Sequence, residues 1–238
     1  MAKINVKGIN LSYSQIKGDG ENIALIMHGW GANKELMEQF FTKPLKPHCK
    51  TLIFLDFAGF GGSDEPNISF NSMDYLNLTN EFLKEINLKP NILLGHSFGG
   101  KIACLMANRM PLKALILCSS AGLKLPKSFK TKCKIALAKT CKILGIKNMR
   151  KFLASRDGAN LSQVMYETFK KVVDEDFSKE ISKINTKTLI LWGENDNATP
   201  LQIGYKMQEL ILNSQFKVYQ GDHFFFMKNE LDFNEFLR

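Results

Sequence analysis

The chain has 238 residues, enough for one large domain or one domain with an insertion. Its composition, 45% hydrophobic and 23% charged, is that of a globular protein and excludes disordered and fibrous classes. The net charge of +9 is unevenly placed: positions 123 to 156 hold eleven Lys or Arg and no Asp or Glu, more than the whole excess. That run reads either as a solvated helical face or as a landing site for an anionic partner.

Residues 4–6 and 9–14 alternate around Lys7-Gly8, which predicts an antiparallel hairpin at a sheet edge. After a turn at 17–20, residues 22–27 form a continuous apolar run, as in a strand covered on both faces. It ends in His28-Gly29-Trp30-Gly31, before a helix expected over 34–42. A second buried strand at 51–55 leads into Asp56 and a Gly-rich loop through Ser63, then a helix over 72–87. A short strand at 91–94 runs directly into a helix over 98–109, and 114–118 is a further strand.

From 122 to 187 the alternation breaks. Helical patterns at 130–144 and 161–173 occur without a convincing strand, too long a stretch for a bare loop. The expected organisation is a core of 1–122 and 187–238, interrupted by a helical cap at 123–186. Alternation resumes with a strand at 188–192, a loop at 193–200, a helix over 201–212, a strand at 216–219, and a closing helix over 228–238. Strands alternating with helices predict an α/β fold with a mostly parallel sheet covered on both faces. Ligands then sit beyond the carboxyl ends of the strands, where His28, Asp56, Ser97 and Ser119 fall.

The chemistry centres on Gly95-His96-Ser97-Phe98-Gly99, between a strand and a helix. Gly-x-Ser-x-Gly there forces the serine onto a tight turn with its hydroxyl above the sheet. A serine hydroxyl needs a base to become a nucleophile. Of four histidines, His96 adjoins Ser97 and points away from it, His48 follows Pro47 in a polar turn, and His28 opens a Gly-rich loop. His223, alone in the loop after the last strand, is the candidate base. Asp196, three residues past the preceding strand, is the candidate acid, with Glu194 its rival. The order Ser, Asp, His is the one expected for this elbow. A tetrahedral intermediate also needs amide donors, and Phe98 N–H and Trp30 N–H are the candidates. His28, Gly29, the Trp30 indole, Phe129, Phe152, Met165 and Phe169 are the expected substrate contacts. Gly59 to Ser63 fails as a dinucleotide fingerprint because Asp64 stands where a third glycine is needed, and no P-loop or HExxH is present. No metal or cofactor is expected.

No apolar run reaches the length of a membrane span, and the N-terminus lacks a signal peptide's apolar core. Five cysteines without CxxC spacing read as reduced thiols of a cytoplasmic protein. The chain shows no clustered aromatics for stacking on bases and no clear amphipathic anchor, which disfavours nucleic-acid and membrane partners.

Taken together, His28-Gly29-Trp30-Gly31, Asp56 to Ser63, Gly95 to Gly100, Trp192 to Asp196 and Gly221-Asp222-His223 resemble the α/β-hydrolase superfamily over nearly the whole chain. Ala58 departs from the usual proline, and Asp222 from the usual small residue. The resemblance implies a serine hydrolase cleaving a carboxylic ester or thioester, with carbon–carbon bond hydrolases and lipase-like enzymes as alternatives on the same residues. A non-catalytic binding protein of the same fold is a further alternative. Within the family, the His-Gly-Trp-Gly loop is similar to that of carboxylesterases acting on pimeloyl-carrier methyl esters. That likeness implies an acidic acyl carrier protein docking on Lys124, Lys127, Lys130, Lys132, Lys134 and Arg150.

Overall fold

The computed structural model describes residues 2–124 and 161–238. Eight strands form one sheet: β1 (Ala2–Val6), β2 (Ile9–Lys17), β3 (Asn22–Met27), β4 (Cys49–Leu55), β5 (Ile92–His96), β6 (Ala114–Cys118), β7 (Thr188–Gly193) and β8 (Ser214–Tyr219). Their spatial order is β1-β2-β4-β3-β5-β6-β7-β8. The β1–β2 and β2–β4 pairings are antiparallel, and every later pairing is parallel. The hairpin and the parallel sheet expected from the alternation are both present.

Because side chains alternate across a strand, each apolar run feeds two cores. Leu25, Met27, Ile53, Leu93, Leu115 and Ile190 face one side. There they meet α2 (Ser72–Glu85), α3 (Phe98–Ala107) and α6 (Leu201–Leu210). Ala24, Ile26, Phe54, Leu94, Ile116 and Leu191 face the other side, against α1 (Lys34–Leu45) and the C-terminal segment. Two short elements complete the described chain before β7: α4 (Gln163–Val173) and α5 (Ser178–Ile181), which bury Met165, Val172 and Ile181 on the α2–α3 side. The helix starts follow from their caps. The Asn33 side chain accepts the Leu36 amide ahead of α1, and Asn71 and Asp74 form a capping box on α2.

Several boundaries differ from expectation. β2 continues to Lys17 because residues 13–17 gain an antiparallel ladder with 51–55, a tertiary pairing that a polar alternation does not advertise. α1 runs on to Leu45 with Pro44 in its last turn, where the ring forfeits the bond to the Phe40 carbonyl and the helix ends one residue later. The expected closing helix over 228–238 is not formed. A 3₁₀ turn at Phe225–Met227 and one short helix, α7 (Asn234–Leu237), occupy that region. Asn229 Nδ2 spends itself on the carbonyls of Gln220 and Phe225, and Asp232 Oδ1 accepts the Asn234 amide, so side chains compete with a continuous helix. The 161–173 pattern is helical from Gln163. The 130–144 pattern lies outside the described residues.

Candidate active site

The turn between β5 and α3 holds Ser97 at φ +51° and ψ −113°, a backbone conformation that a side-chain-bearing residue rarely adopts. Close packing holds it there. A Cβ on Gly99 would lie 2.3 Å from the Met27 carbonyl oxygen, and one on Gly95 would lie 2.4 Å from the Gly99 carbonyl. The Ser97 amide donates to the Cys118 carbonyl at 3.0 Å, which ties the turn to β6. On the other side, a Cβ on Gly29 would approach His96 Nδ1 at 2.8 Å and Ser97 Cβ at 3.1 Å. The loop after β3 therefore rests directly on the serine turn.

Asp196 and His223 come from the loops after β7 and β8 and meet at the same sheet edge. His223 Nδ1 lies 2.8 Å from Asp196 Oδ2. Asp196 Oδ1 accepts the amides of Ala198 and Thr199, both at 2.9 Å. The Thr199 hydroxyl lies 2.9 Å from Oδ2 and 3.0 Å from the Ser119 carbonyl oxygen. Burial raises the Asp196 pKa, but the His223 bond and charge and the Thr199 amide outweigh it and hold the carboxyl below its ordinary value. An ionised Asp196 fixes the proton on His223 Nδ1 and leaves Nε2 with a lone pair. The rival Glu194 is exposed and accepts from Asn195 instead, at 3.1 Å.

His96 links this pair to the serine turn. Its Nε2 lies 3.0 Å from the His223 carbonyl oxygen, and the two rings are 4.6 Å apart. Burial, then the neighbouring His223, lower its pKa to about 3, so His96 is neutral and Nε2 carries the proton as donor. It positions the His223 backbone and is not itself poised as a base.

The expected contact between His28 and substrate is corrected. The ring has no exposed surface, and burial lowers its pKa, keeping it neutral. Its Nδ1 donates to the Gly29 carbonyl at 2.7 Å, and its Nε2 accepts the Phe57 amide at 3.1 Å. Both nitrogens are spent on backbone, which pins the loops after β3 and β4 together. Asp56 does the same: Oδ1 accepts the Lys34 amide at 2.7 Å, while Oδ2 accepts Lys34 Nζ and the Gly62 amide, each at 2.9 Å.

Trp30 packs edge-on against Phe60 and Phe98, with centroids 4.7 and 5.7 Å away, and lies tilted on Phe169 at 5.4 Å. The Phe98 ring turns into the core against Phe57 and Tyr75, so its amide, first in α3, is the part available at the turn. Met165 is buried against the loop at Gly59, where a Cβ would meet its sulfur. Of the expected substrate contacts, Gly29 rests on the serine turn, Trp30 packs between Phe98 and Phe169, and Met165 lies against the loop at Gly59. Phe129 and Phe152 lie outside the described residues, as do Lys127, Lys130, Lys132, Lys134 and Arg150. Thr199 escaped notice in the sequence, although a Thr three residues after Asp196 is the spacing of a local side-chain cap.

Among the described residues, no group of three His, Cys, Asp or Glu could hold a metal ion, and no helix is long and apolar enough to cross a membrane. Cys49, Cys104 and Cys118 are free and buried; burial pushes the first two thiols up to about 12.

Residues 24–139 match the family model described as alpha/beta hydrolase fold. The uncharacterized hydrolase YugF of Bacillus subtilis is 24% identical, over 89% of this chain and 86% of its own length. The 2-hydroxy-6-oxo-6-(2'-aminophenyl)hexa-2,4-dienoic acid hydrolase of Metapseudomonas resinovorans is 25% identical, over 89% and 80% respectively. The pimeloyl-[acyl-carrier protein] methyl ester esterase of Proteus mirabilis is 30% identical, but over 48% of this chain and 42% of its own. In three dimensions, an esterase from Exiguobacterium antarcticum superimposes with a TM-score of 0.72 at 22% identity, covering 95% of this chain and 93% of that one. The strand order, the serine turn at the central strand and these matches together show that the chain has the α/β-hydrolase fold.

Proposed function

We propose that the protein is a serine hydrolase that cleaves a carboxylic ester through an acyl-enzyme. The observation that carries this reading is the 2.8 Å contact between Asp196 and His223, held beside the Ser97 turn by His96. Ser97 Oγ attacks the ester carbonyl as its proton passes to His223 Nε2. The amides of Trp30 and Phe98 hold the oxyanion. Collapse expels the alkoxide, which takes the proton from His223 and leaves as the alcohol. Water then attacks the acyl-Ser97 bond, gives its proton to the same nitrogen, and Ser97 regains it as the acid departs. Asp196 stays ionised and stabilises the imidazolium in both halves.

Residues 123–186 form the cap over this site in our reading, with Gly29, Trp30, Met165, Phe169, Phe129 and Phe152 contacting the substrate. Met165 and Phe169 support that assignment by their places against Gly59 and Trp30. The basic run within 123–156 suits an acidic acyl carrier protein. The buried free thiols suit a reducing cytoplasm. A second reading, hydrolysis of a carbon–carbon bond, is favoured by the dienoic acid hydrolase, whose likeness spans far more of the chain than that of the pimeloyl esterase.

Turnover of p-nitrophenyl esters across a chain-length series, with fluorophosphonate labelling mapped by peptide, tests the reaction class. Label on Ser97 with measurable ester turnover supports the esterase. Label on Ser97 with turnover confined to a vinylogous diketone favours the carbon–carbon reading. The carrier version predicts binding of acyl carrier protein that weakens with added salt and is lost when Lys124, Lys127 and Lys130 are changed to Glu.

A further inference from the structure

Lys101 lies one helical turn beyond Ser97 on α3, and its residue is only 4% exposed. A buried ammonium is costly unless it is paired. Its Nζ donates to the Val172 carbonyl at 2.5 Å, lies 3.6 Å from Glu175 Oε2, and sits 5.5 and 6.0 Å from the ring centroids of Phe98 and Phe177. Glu175 in turn holds the start of α2, accepting the Ser72 amide at 3.2 Å and the Ser72 hydroxyl. The same segment makes two more ties to the approach of α2: Thr168 Oγ1 accepts the Phe70 amide at 3.0 Å, and Lys171 Nζ donates to the Ser69 carbonyl at 2.6 Å. α4 carries Met165 onto Gly59 and Phe169 onto Trp30.

We propose that Lys101 and Glu175 are positioning residues: the pairing of buried Lys101 with half-buried Glu175 fastens the 161–178 segment to the nucleophile's helix and so sets the wall that Met165 and Phe169 present to the acyl chain. The wall rests on the ester-hydrolase reading; the fastening itself does not.

The charges around Lys101 are few. Glu175 faces it from the segment, and Lys124 opposes it from the chain after β6. Asp174 lies 3.9 Å from Lys124, and Asp176 accepts the Lys124 amide and the Ser178 hydroxyl. From α2, Asp74 is occupied by the Asn71 amide; α5 contributes Lys179 and Glu180. Burial lowers the Lys101 pKa to about 8, against the pull of Glu175. When the segment lifts away, water restores the ordinary value near 10.5. The fastened state therefore binds fewer protons between those values, and fastening tightens as pH rises through about 8.

Amide hydrogen exchange of α4, corrected for intrinsic rate and referenced to α1, tests this in wild type, Lys101→Met and Glu175→Gln. Protection in the wild type is expected to rise about tenfold from pH 7 to 9. It stays flat in Lys101→Met. In Glu175→Gln the rise begins at lower pH, because the carboxylate no longer holds the proton on Lys101; this variant decides the matter if Lys101→Met does not fold. The ratio of kcat/KM for p-nitrophenyl hexanoate over acetate should follow the same pH course in the wild type alone. A flat wild-type exchange profile, or an equal rise in Lys101→Met, overturns the fastening. The expected exchange with a pH-independent ester ratio overturns the wall. The expected exchange without hydrolysis of either ester supports the fastening and removes the ester-hydrolase reading beneath the wall.

Discussion

Asp196 accepts four hydrogen-bonding partners at its two oxygens, and that concentration of donors is what keeps its buried carboxylate ionised. Asp196→Asn replaces an acceptor with an amide that can present N–H to His223, favouring the wrong tautomer. Its kcat on esters is expected to fall on the order of 10³- to 10⁴-fold, with KM little changed. Thr199→Val removes one of the four partners at nearly constant volume, and steady-state kinetics should show kcat lower by about tenfold. The depressed pKa also has a stability consequence. The contribution of Asp196 is complete above the unfolded carboxyl pKa of about 4 and is lost as pH falls through the lower folded value. Acid unfolding followed by circular dichroism should therefore be shallower below about pH 4 in Asp196→Asn than in the wild type. Residue identity alone pointed to Ser97, Asp196 and His223 because few residues of each type fall at strand ends. It misplaced His28, since a histidine beside glycine reads as a ligand contact until its two backbone partners are known.

The serine turn is an element built from absences of side chains. Gly99 packs on the Met27 carbonyl, and no flexible group stands there to move aside. Gly99→Ala is expected to cost about 2–3 kcal/mol in denaturant unfolding and to lower ester turnover, because the turn and the β3 loop must separate. Elements of this kind were legible in the sequence: the strands at 22–27 and 188–192 are continuous apolar runs, and Gly-x-Ser-x-Gly marks their shared edge. Elements set by tertiary partners were not. Residues 15–17 join β2 because β4 offers a ladder, and 228–238 fails to form one helix because Asn229 and Asp232 take backbone partners of their own.

At the scale of the molecule, one geometric fact organises the site: parallel strands with helical crossovers bring the ends of β3, β5, β6, β7 and β8 to one edge. Chain order then suffices to predict that residues 28–30, 97, 119, 196 and 223 converge, which is why their meeting at one edge could be read before the fold. The segment between β6 and β7 follows no such rule. Its contacts, Lys101 with Glu175 and Met165 with Gly59, join positions far apart in sequence and carry no local pattern. Assignment of Ser97 as the nucleophile is tested most directly by p-nitrophenyl acetate hydrolysis with the wild type and Ser97→Ala. A nucleophilic Ser97 requires kcat to fall on the order of 10⁴- to 10⁶-fold in a variant whose thermal unfolding matches the wild type. Turnover retained by the folded Ser97→Ala protein would contradict it.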